Sequence, residues 1–395
     1  MTLAPPFPHS LDAALAQSLA ALAQESRLRQ LHPWAARSPG CVQDETGRTF
    51  IDFASNDYLG LAADPRLSQA AARFLAEHAP GAPASRLISG DHPAHHALEQ
   101  ALAAMEATEA SLVFGSGFLA NAGTIPALVE RGDLIVADAA NHASLIDACR
   151  LSRADVIVTP HADAEAVAHT LQRERHRVRR AMIVTDGVFS MDADVAPLEA
   201  LAAVARRFDA WTYVDDAHGH GVLADGRGVV GLVGADAVPD VRMGTLGKAF
   251  GVGGGFVAGS STLVEWLRNR ARTFVFTTAM PPVVAVAAHE GLRIATAETW
   301  RRTRVADVGA RVRRACADAG VVTLGQVPHL VPIVVGDDAR TVAIGRALRD
   351  RGVLVGAIRP PTVPVGTARL RISCSAAHTD AQIDQLLAEL LPLLQ

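Results

Sequence analysis

The sequence predicts an α/β protein: a large domain with a mostly parallel seven-stranded sheet covered by helices on both faces, and a smaller α+β domain at the C-terminal end. Three observations predict it. A chain of 395 residues, 49% hydrophobic and 20% charged, has the length for two to three domains and the composition of a globular fold rather than a disordered one. Between about residues 110 and 260, short β-branched runs alternate with Ala/Leu-rich helical stretches, the rhythm of repeated βαβ units. After Pro281-Pro282 the alternation loosens into strands followed by helices.

Residues 10–31 read as an amphipathic helix, with Ser10 as N-cap and Leu11, Leu15, Leu19, Leu22 and Leu28 among its apolar positions. A hairpin-like segment containing Pro and Gly follows, then Phe50-Ile-Asp-Phe-Ala-Ser-Asn-Asp-Tyr-Leu-Gly60. The large domain's strands are expected at 111–114, 134–137, 156–159, 182–185, 211–214, 241–245 and 255–258, with helices near 118–130, 143–151, 163–175 and 197–208. Beyond Pro282 one long helical stretch runs toward about residue 320. Strand 330–335, helix 339–350, strands 353–357 and 368–373, and helix 379–394 complete the chain. The expected division is 1–50 for the N-terminal helix and connecting segment, 51–285 for the large domain and 286–395 for the small one, which packs with the N-terminal helix.

Composition excludes several functions. A net charge of -4 and a pI near 6.4 offer no basic field for nucleic acid. No apolar run reaches the roughly 18 residues of a membrane span. Met1-Thr-Leu-Ala-Pro-Pro-Phe-Pro8 lacks a basic segment followed by an apolar one, so a cytoplasmic location is expected. The four cysteines are far apart and form no C-x-x-C, which fits a reduced chain.

Of the 37 basic residues, one is lysine, Lys248. A mutational bias toward arginine accounts for the other 36 but not for the lysine that remains. Arginine stays protonated, so it cannot stand in for an amine that must turn neutral and nucleophilic. Lys248 lies in Met243-Gly-Thr-Leu-Gly-Lys-Ala-Phe-Gly-Val-Gly-Gly-Gly255, just past a strand, where open parallel sheets bind ligands. Flanking glycines let a ligand approach closely. The ordinary alternative is a solvated surface lysine.

Other strand ends carry further candidates. Trp211-Thr-Tyr-Val-Asp-Asp-Ala-His-Gly-His-Gly221 places Asp215 to pair with a pyridinium nitrogen and His218 to reach a phenolate oxygen; taken alone they read equally as turn residues. The D-x-x-H spacing could suggest a metal, but no third ligand stands at metal spacing. In Phe114-Gly-Ser-Gly-Phe-Leu-Ala-Asn121 the amides around Gly117 and Phe118 open a helix, where the dipole favours a phosphate; the alternative is an ordinary tight turn. Ser190, in Asp186-Gly-Val-Phe-Ser-Met-Asp192, could bond a ring oxygen, and His142, in Asn141-His-Ala-Ser144, could stack on a planar ring. A Schiff-base lysine, an acid for a pyridine nitrogen, a phosphate nest and a stacking histidine are together the set that pyridoxal phosphate (PLP) needs.

With these residues the chain resembles the α-oxoamine synthases, a fold-type I group of PLP enzymes. The resemblance runs from about Arg29 to the C-terminus. Ser55-Asn-Asp-Tyr-Leu-Gly60, Gly187-Val-Phe-Ser-Met-Asp192, Val214-Asp-Asp-Ala-His-Gly219, Thr245-Leu-Gly-Lys248 and Thr277-Thr-Ala-Met-Pro-Pro282 carry it. Ala357-Ile-Arg-Pro-Pro-Thr-Val-Pro364 and Gly366-Thr-Ala-Arg-Leu-Arg371 narrow it to the members that serve biotin biosynthesis.

The resemblance implies that Lys248 bonds the cofactor's aldehyde, Asp215 meets its ring nitrogen, Ser190 and His218 reach its ring oxygen, and His142 stacks on it. Gly117, Phe118 and Thr245 contact the cofactor, Thr245 at its phosphate. Thr277 or Thr278 reaches the phosphate of a partner subunit, making a homodimer with sites at the interface. Asn56 and Arg371 face the amino acid's carboxylate, and Arg29, Thr362 and nearby Arg359 the acyl substrate. The implied reaction joins L-alanine to a pimeloyl thioester, carried by coenzyme A or an acyl carrier protein, with loss of CO2 and thiol. The alternatives are glycine or serine with another acyl-CoA, an aminotransferase on the same fold, and a non-catalytic subunit. One departure stands out: the usual glycine-rich stretch reads Gly81-Ala-Pro-Ala-Ser-Arg-Leu-Ile-Ser-Gly90, and Pro83 there fixes φ and removes a donor.

Overall fold

The computed structural model describes residues 10–395. The N-terminal octapeptide read above for a targeting signal lies outside them. Among the described residues, thirteen strands form two sheets. The larger contains β4 (Ala110–Phe114), β5 (Leu134–Asp138), β6 (Asp155–Thr159), β7 (Ala181–Asp186), β8 (Trp211–Asp215), β9 (Val241–Thr245) and β10 (Gly255–Gly259), in the order β4-β10-β9-β8-β7-β5-β6. β10 runs antiparallel to both neighbours; the other six are parallel. All seven expected strands are there, to within a residue or so at each end.

Alternate residues of a strand point to opposite faces, and the core follows. Ile135, Met182 and Val184 pack with Ile125, Leu145 and Ala148 of helices Gly117–Leu128 and Ala143–Ser152 on one face. Leu134, Val136 and Ile183 pack with Val167, Leu171 and Leu201 of helices Ala164–Glu174 and Leu198–Arg207 on the other. Because both faces are covered, the carboxyl edge is where a ligand can enter the sheet.

The smaller sheet joins β1 (Trp34–Ser38), β2 (Cys41–Asp44) and β3 (Thr49–Phe53) to β11 (Leu330–Gly336), β12 (Val353–Ile358) and β13 (Ala368–Ser373), in the order β1-β2-β3-β12-β13-β11. β3 lies parallel to β12, with Ile51 opposite Val353. Residue 51, read above as the start of the large domain, therefore sits inside a strand of the smaller sheet.

Two helix expectations are corrected. The helix expected over 10–31 spans Leu11–Gln24, with Ser10 accepting from the Ala13 amide as its cap. It stops because Ser26 turns to φ 56° and the amides of Arg27 and Leu28 fold back onto the Leu22 carbonyl. The helix buries none of its residues, and it is Arg27 beyond it that reaches the smaller domain, 3.2 Å from Asp338. The stretch expected to run unbroken to about 320 is two helices, Pro282–Ala297 and Trp300–Asp318. At the break, Glu298 turns out to pair with Arg66 and Arg301. Among the described residues no helix is long and apolar enough to cross a membrane.

Candidate active site

Five parallel strands deliver the expected residues to one edge. β4 leads to Gly117 and Phe118, β5 to His142, β7 to Ser190, β8 to Asp215 and His218, and β9 to Thr245 and Lys248. The register keeps them level: Asp186 stands beside Asp215 and Asp215 beside Met243, while Gly255 faces both Phe114 and Thr245. The turn carrying Lys248 needs Gly251, whose φ is +73° and where a Cβ would lie 2.6 Å from Ala62 N. A cleft of about 640 Å³ between Trp211, Arg242 and Trp266 opens at the opposite end of the sheet, away from this chemistry.

Lys248 is half-buried, and loss of solvation brings its amine from the ordinary 10.5 to about 8, although the Asp215 and Asp186 carboxylates favour its charge. With a value near 8, roughly a tenth to a fifth of the amine is neutral between about pH 7 and 7.4, far more than an ordinary lysine offers. Burial, reinforced by the charge of Asp215, pushes the Asp186 carboxyl well above its usual range. Its Oδ2 accepts from the His142 backbone N–H at 2.6 Å and so anchors the turn that carries His142.

Asp215 is held by Asn121, a residue sequence reasoning did not single out. Asn121 Nδ2 donates to Asp215 Oδ2 at 2.7 Å and to Ser144 Oγ at 2.9 Å, while its Oδ1 accepts from the Tyr213 hydroxyl at 2.6 Å. Asn121, Tyr213 and Ser144 are all fully or almost fully buried. The signal was the spacing: Asn121 lies one helical turn beyond Gly117, so it faces the strand end that Gly117 faces. Ser144 Oγ is also 2.7 Å from His142 Nδ1, which joins the exposed His142 ring to the same network.

A second network reaches His218. Its Nδ1 lies 2.6 Å from the hydroxyl of buried Tyr58; that hydroxyl is 3.1 Å from Asn56 Oδ1, which accepts from Arg371 Nη2 at 2.7 Å. Burial, then the Lys248 charge, drives His218 well below the usual histidine value, so its ring is neutral. Arg371 Nη1 is 3.5 Å from the Ser190 carbonyl, and its Nε has no partner. A buried guanidinium with a free donor is suited to a carboxylate ligand. Tyr58 was legible only as part of its motif.

The remaining residues fall into two places. Arg29 Nη2 is 3.4 Å from Thr362 Oγ1, and Arg359 Nη2 donates to the Leu28 carbonyl at 3.1 Å. Burial and the charge of Arg29 lower the Arg359 pKa, so the two cations share one corner. Thr277 and Thr278 lie in the turn before helix Pro282–Ala297, and no hydrogen bond joins them to the Lys248 group within this chain. Their neighbour Ala279 donates to the Ala84 carbonyl at 3.0 Å, which ties that turn to the Pro83 loop.

Known proteins resemble the chain along its length. The family model described as aminotransferase class I and II matches residues 48–390. An 8-amino-7-oxononanoate synthase of Anaeromyxobacter dehalogenans strain 2CP-1 is 46% identical over 95% of this chain and 94% of its own. A Sphingomonas wittichii serine palmitoyltransferase superposes with a TM-score of 0.91 at 31% identity, covering 98% of both chains. A serine palmitoyltransferase holding PLP as its internal aldimine does so at 0.91 and 28%, again over 98% of both. The chain belongs to the aminotransferase class I and II family, in its α-oxoamine synthase branch.

Proposed function

We propose that the chain uses PLP to join L-alanine to a pimeloyl thioester, giving 8-amino-7-oxononanoate, CO2 and a free thiol in biotin biosynthesis. The observation that carries the reading is the lone lysine, its amine brought to about 8, on the same strand edge as an Asn121-held Asp215. The activity of the 46%-identical relative supports the choice of substrates.

The residues suit the cofactor. Gly117 and Phe118 open a helix whose Ser116 cap accepts from Leu119, so their own amides have no intrahelical acceptor. A Cβ at Gly253 would meet nothing within 4 Å, and one at Gly247 would approach Thr245 Oγ1 no closer than 3.7 Å, which leaves room beside the nest for a phosphate. When bound, PLP supplies the electron sink for the carbanion at alanine Cα.

Lys248 would hold the cofactor through its Nζ and, with its amine free and neutral, would be the base that takes the Cα proton. Asp215, fixed by Asn121 and the Ala217 amide, would be the group that meets the ring nitrogen. His218, neutral and oriented by Tyr58, would reach the ring oxygen together with Ser190, and His142 would cover the ring. Arg371 and Asn56 orient the alanine carboxylate. Arg29, Arg359 and Thr362 receive the far carboxylate of the acyl chain. The thioester carbon bonds to Cα as the C–S bond breaks and the thiolate leaves; the alanine carboxylate then departs as CO2, and Cα takes a proton in its place, with the protonated Lys248 amine as the donor.

The working form is a cytoplasmic homodimer, Thr277 and Thr278 reaching the partner's phosphate site, with coenzyme A or an acyl carrier protein delivering the thioester. The test is stoichiometric release of CO2 and thiol from alanine and pimeloyl-CoA, against serine with palmitoyl-CoA and glycine with acetyl-CoA. The serine palmitoyltransferase neighbours make the serine pair the informative control. Faster turnover with either control pair overturns the substrate assignment.

A further inference from the structure

Behind the Asp215 turn, away from the ligand edge, lies a cluster that the mechanism above does not use. Glu106, Asp216, His220 and Arg242 are each more than nine-tenths buried. His220 Nε2 is 2.7 Å from Glu106 Oε1 and 3.9 Å from Asp216 Oδ2, and Arg242 Nη1 is 3.9 Å from Glu106 Oε2. The chain is wrapped tightly around the Asp216 carboxylate. A Cβ at Gly228 would fall 1.8 Å from its Oδ2, and at Gly219 2.1 Å from its Oδ1. The Val229 amide donates to Oδ2 at 2.7 Å, and the Asp216 amide to the Met243 carbonyl at 2.9 Å. On the other side, a Cβ at Gly244 would lie 2.6 Å from His220 Nδ1.

These contacts connect three elements: the end of helix Pro93–Glu106, the turn that carries Asp215 and His218, and β9, which leads to Thr245 and Lys248. Charges buried together are costly, and apolar side chains would fill the same space more cheaply. What they supply is a fixed geometry.

We propose that Glu106, His220 and Asp216 form an ionic brace, closed by Arg242, that sets the Asp215–His218 turn against β9, and that Glu106 is a positioning residue acting through His220. The proposal rests on the PLP reading of the site. Burial opposes a charge on His220, but Glu106 and Asp216 raise it to about 9, so the ring is cationic at neutral pH. Burial takes Asp216 up to about 7 against the pull of His220, and Glu106 is the nearer of the two carboxylates to the ring.

The test compares wild type, Glu106→Gln and the Glu106→Gln/His220→Gln double variant as PLP-loaded proteins. Three quantities are read: the pH midpoint of the bound cofactor's visible band, kcat and KM for alanine, and the melting temperature. Glu106→Gln should keep PLP, move the midpoint by about half a pH unit or more, and change KM by less than about twofold. Its kcat should fall about 10- to 100-fold, the cost of a misplaced reacting group. The double variant removes the His220 cation together with its nearest carboxylate, leaves Arg242 no worse paired than in the single variant, and should regain part of the lost melting temperature without regaining kcat.

The brace is overturned if Glu106→Gln loses melting temperature while its midpoint and kcat per bound PLP stay at wild-type values, or if the double variant recovers kcat together with stability. If Glu106→Gln does not fold, the double variant carries the comparison; failure of both to fold makes the cluster a folding element and also overturns the proposal. A wild type that binds PLP yet makes no product would overturn the reaction above and leave the band midpoint to decide the brace.

Discussion

A single lysine in the sequence makes covalent trapping specific to a degree that most proteins do not allow. Borohydride reduction of the PLP-loaded protein should fix the cofactor on the one peptide containing Met243–Gly255, and peptide mass mapping reads the result; label elsewhere in the chain would remove Lys248 from its role. Uptake of PLP by the cofactor-free protein needs the neutral amine. With that amine near 8, the uptake rate should rise about tenfold per unit of pH below 8 and level off above it, as stopped-flow absorbance would show. Lys248→Arg keeps the charge but cannot bond the aldehyde, and its turnover should drop to background. Asn121→Ala removes donors from Asp215 and Ser144 and an acceptor from Tyr213, all of them buried. It should cost about 1–3 kcal/mol in urea unfolding. Lys248 and Asp215 could be singled out in the sequence because the proposed chemistry restricts residue type and because strand ends are recognisable. Asn121 was not, since its work is done on a carboxylate 94 residues away and any buried polar residue reads alike in a sequence.

Among the elements, the loop after β7 shows how a site residue is held from outside. His161 Nδ1 lies 2.9 Å from Asp138 at the end of β5, and its Nε2 2.8 Å from Asp194 in the loop that bears Ser190. Burial works against a charge on His161, but its hydrogen bonds to the two carboxylates overcome this and raise its pKa above 6.5. The folded state therefore holds the proton more tightly than the unfolded one. The stabilisation is complete below about pH 6.5 and disappears as pH rises through the raised folded value. His161→Gln should thus lower stability at pH 6 by up to about 1 kcal/mol, with the deficit shrinking toward pH 9. Denaturation of both proteins at the two pH values checks this, and a deficit that grows with pH would contradict the ion pairs. Parallel strands and their helices were legible because each unit is local and repeats one period. Helix ends were less so: the stop at Gln24 depends on a backbone reversal at Ser26, and the break at Glu298 accompanies side-chain pairing with Arg66, 232 residues away.

For the molecule as a whole, the smaller sheet was the least legible part, because Ile51 pairs with Val353 across the whole of the intervening large domain in sequence. That topology has a consequence for the site. β13 belongs to the smaller sheet, and residues two apart on a strand share a face, so Arg369 and Arg371 both point at the loop after β7. Arg369 Nη1 donates to the Met191 carbonyl at 2.9 Å and to Asp192 Oδ1 at 2.6 Å, while Arg371 reaches the Ser190 carbonyl and Asn56. Arg369 is therefore one fastening between the smaller sheet and the loop after β7, and Arg371 the group proposed to meet alanine's carboxylate. Arg369→Ala leaves Asp192 accessible to water, so its stability cost should stay near that of one charged hydrogen bond, about 1–3 kcal/mol in urea unfolding. Its kinetic effect should be specific: KM for alanine rises several-fold as the Arg371–Asn56 corner loses its footing, while bound PLP absorbs as in wild type. An unchanged KM alongside the lost stability would mean that the carboxylate corner keeps its geometry without the fastening, through the Arg371–Asn56 bond alone.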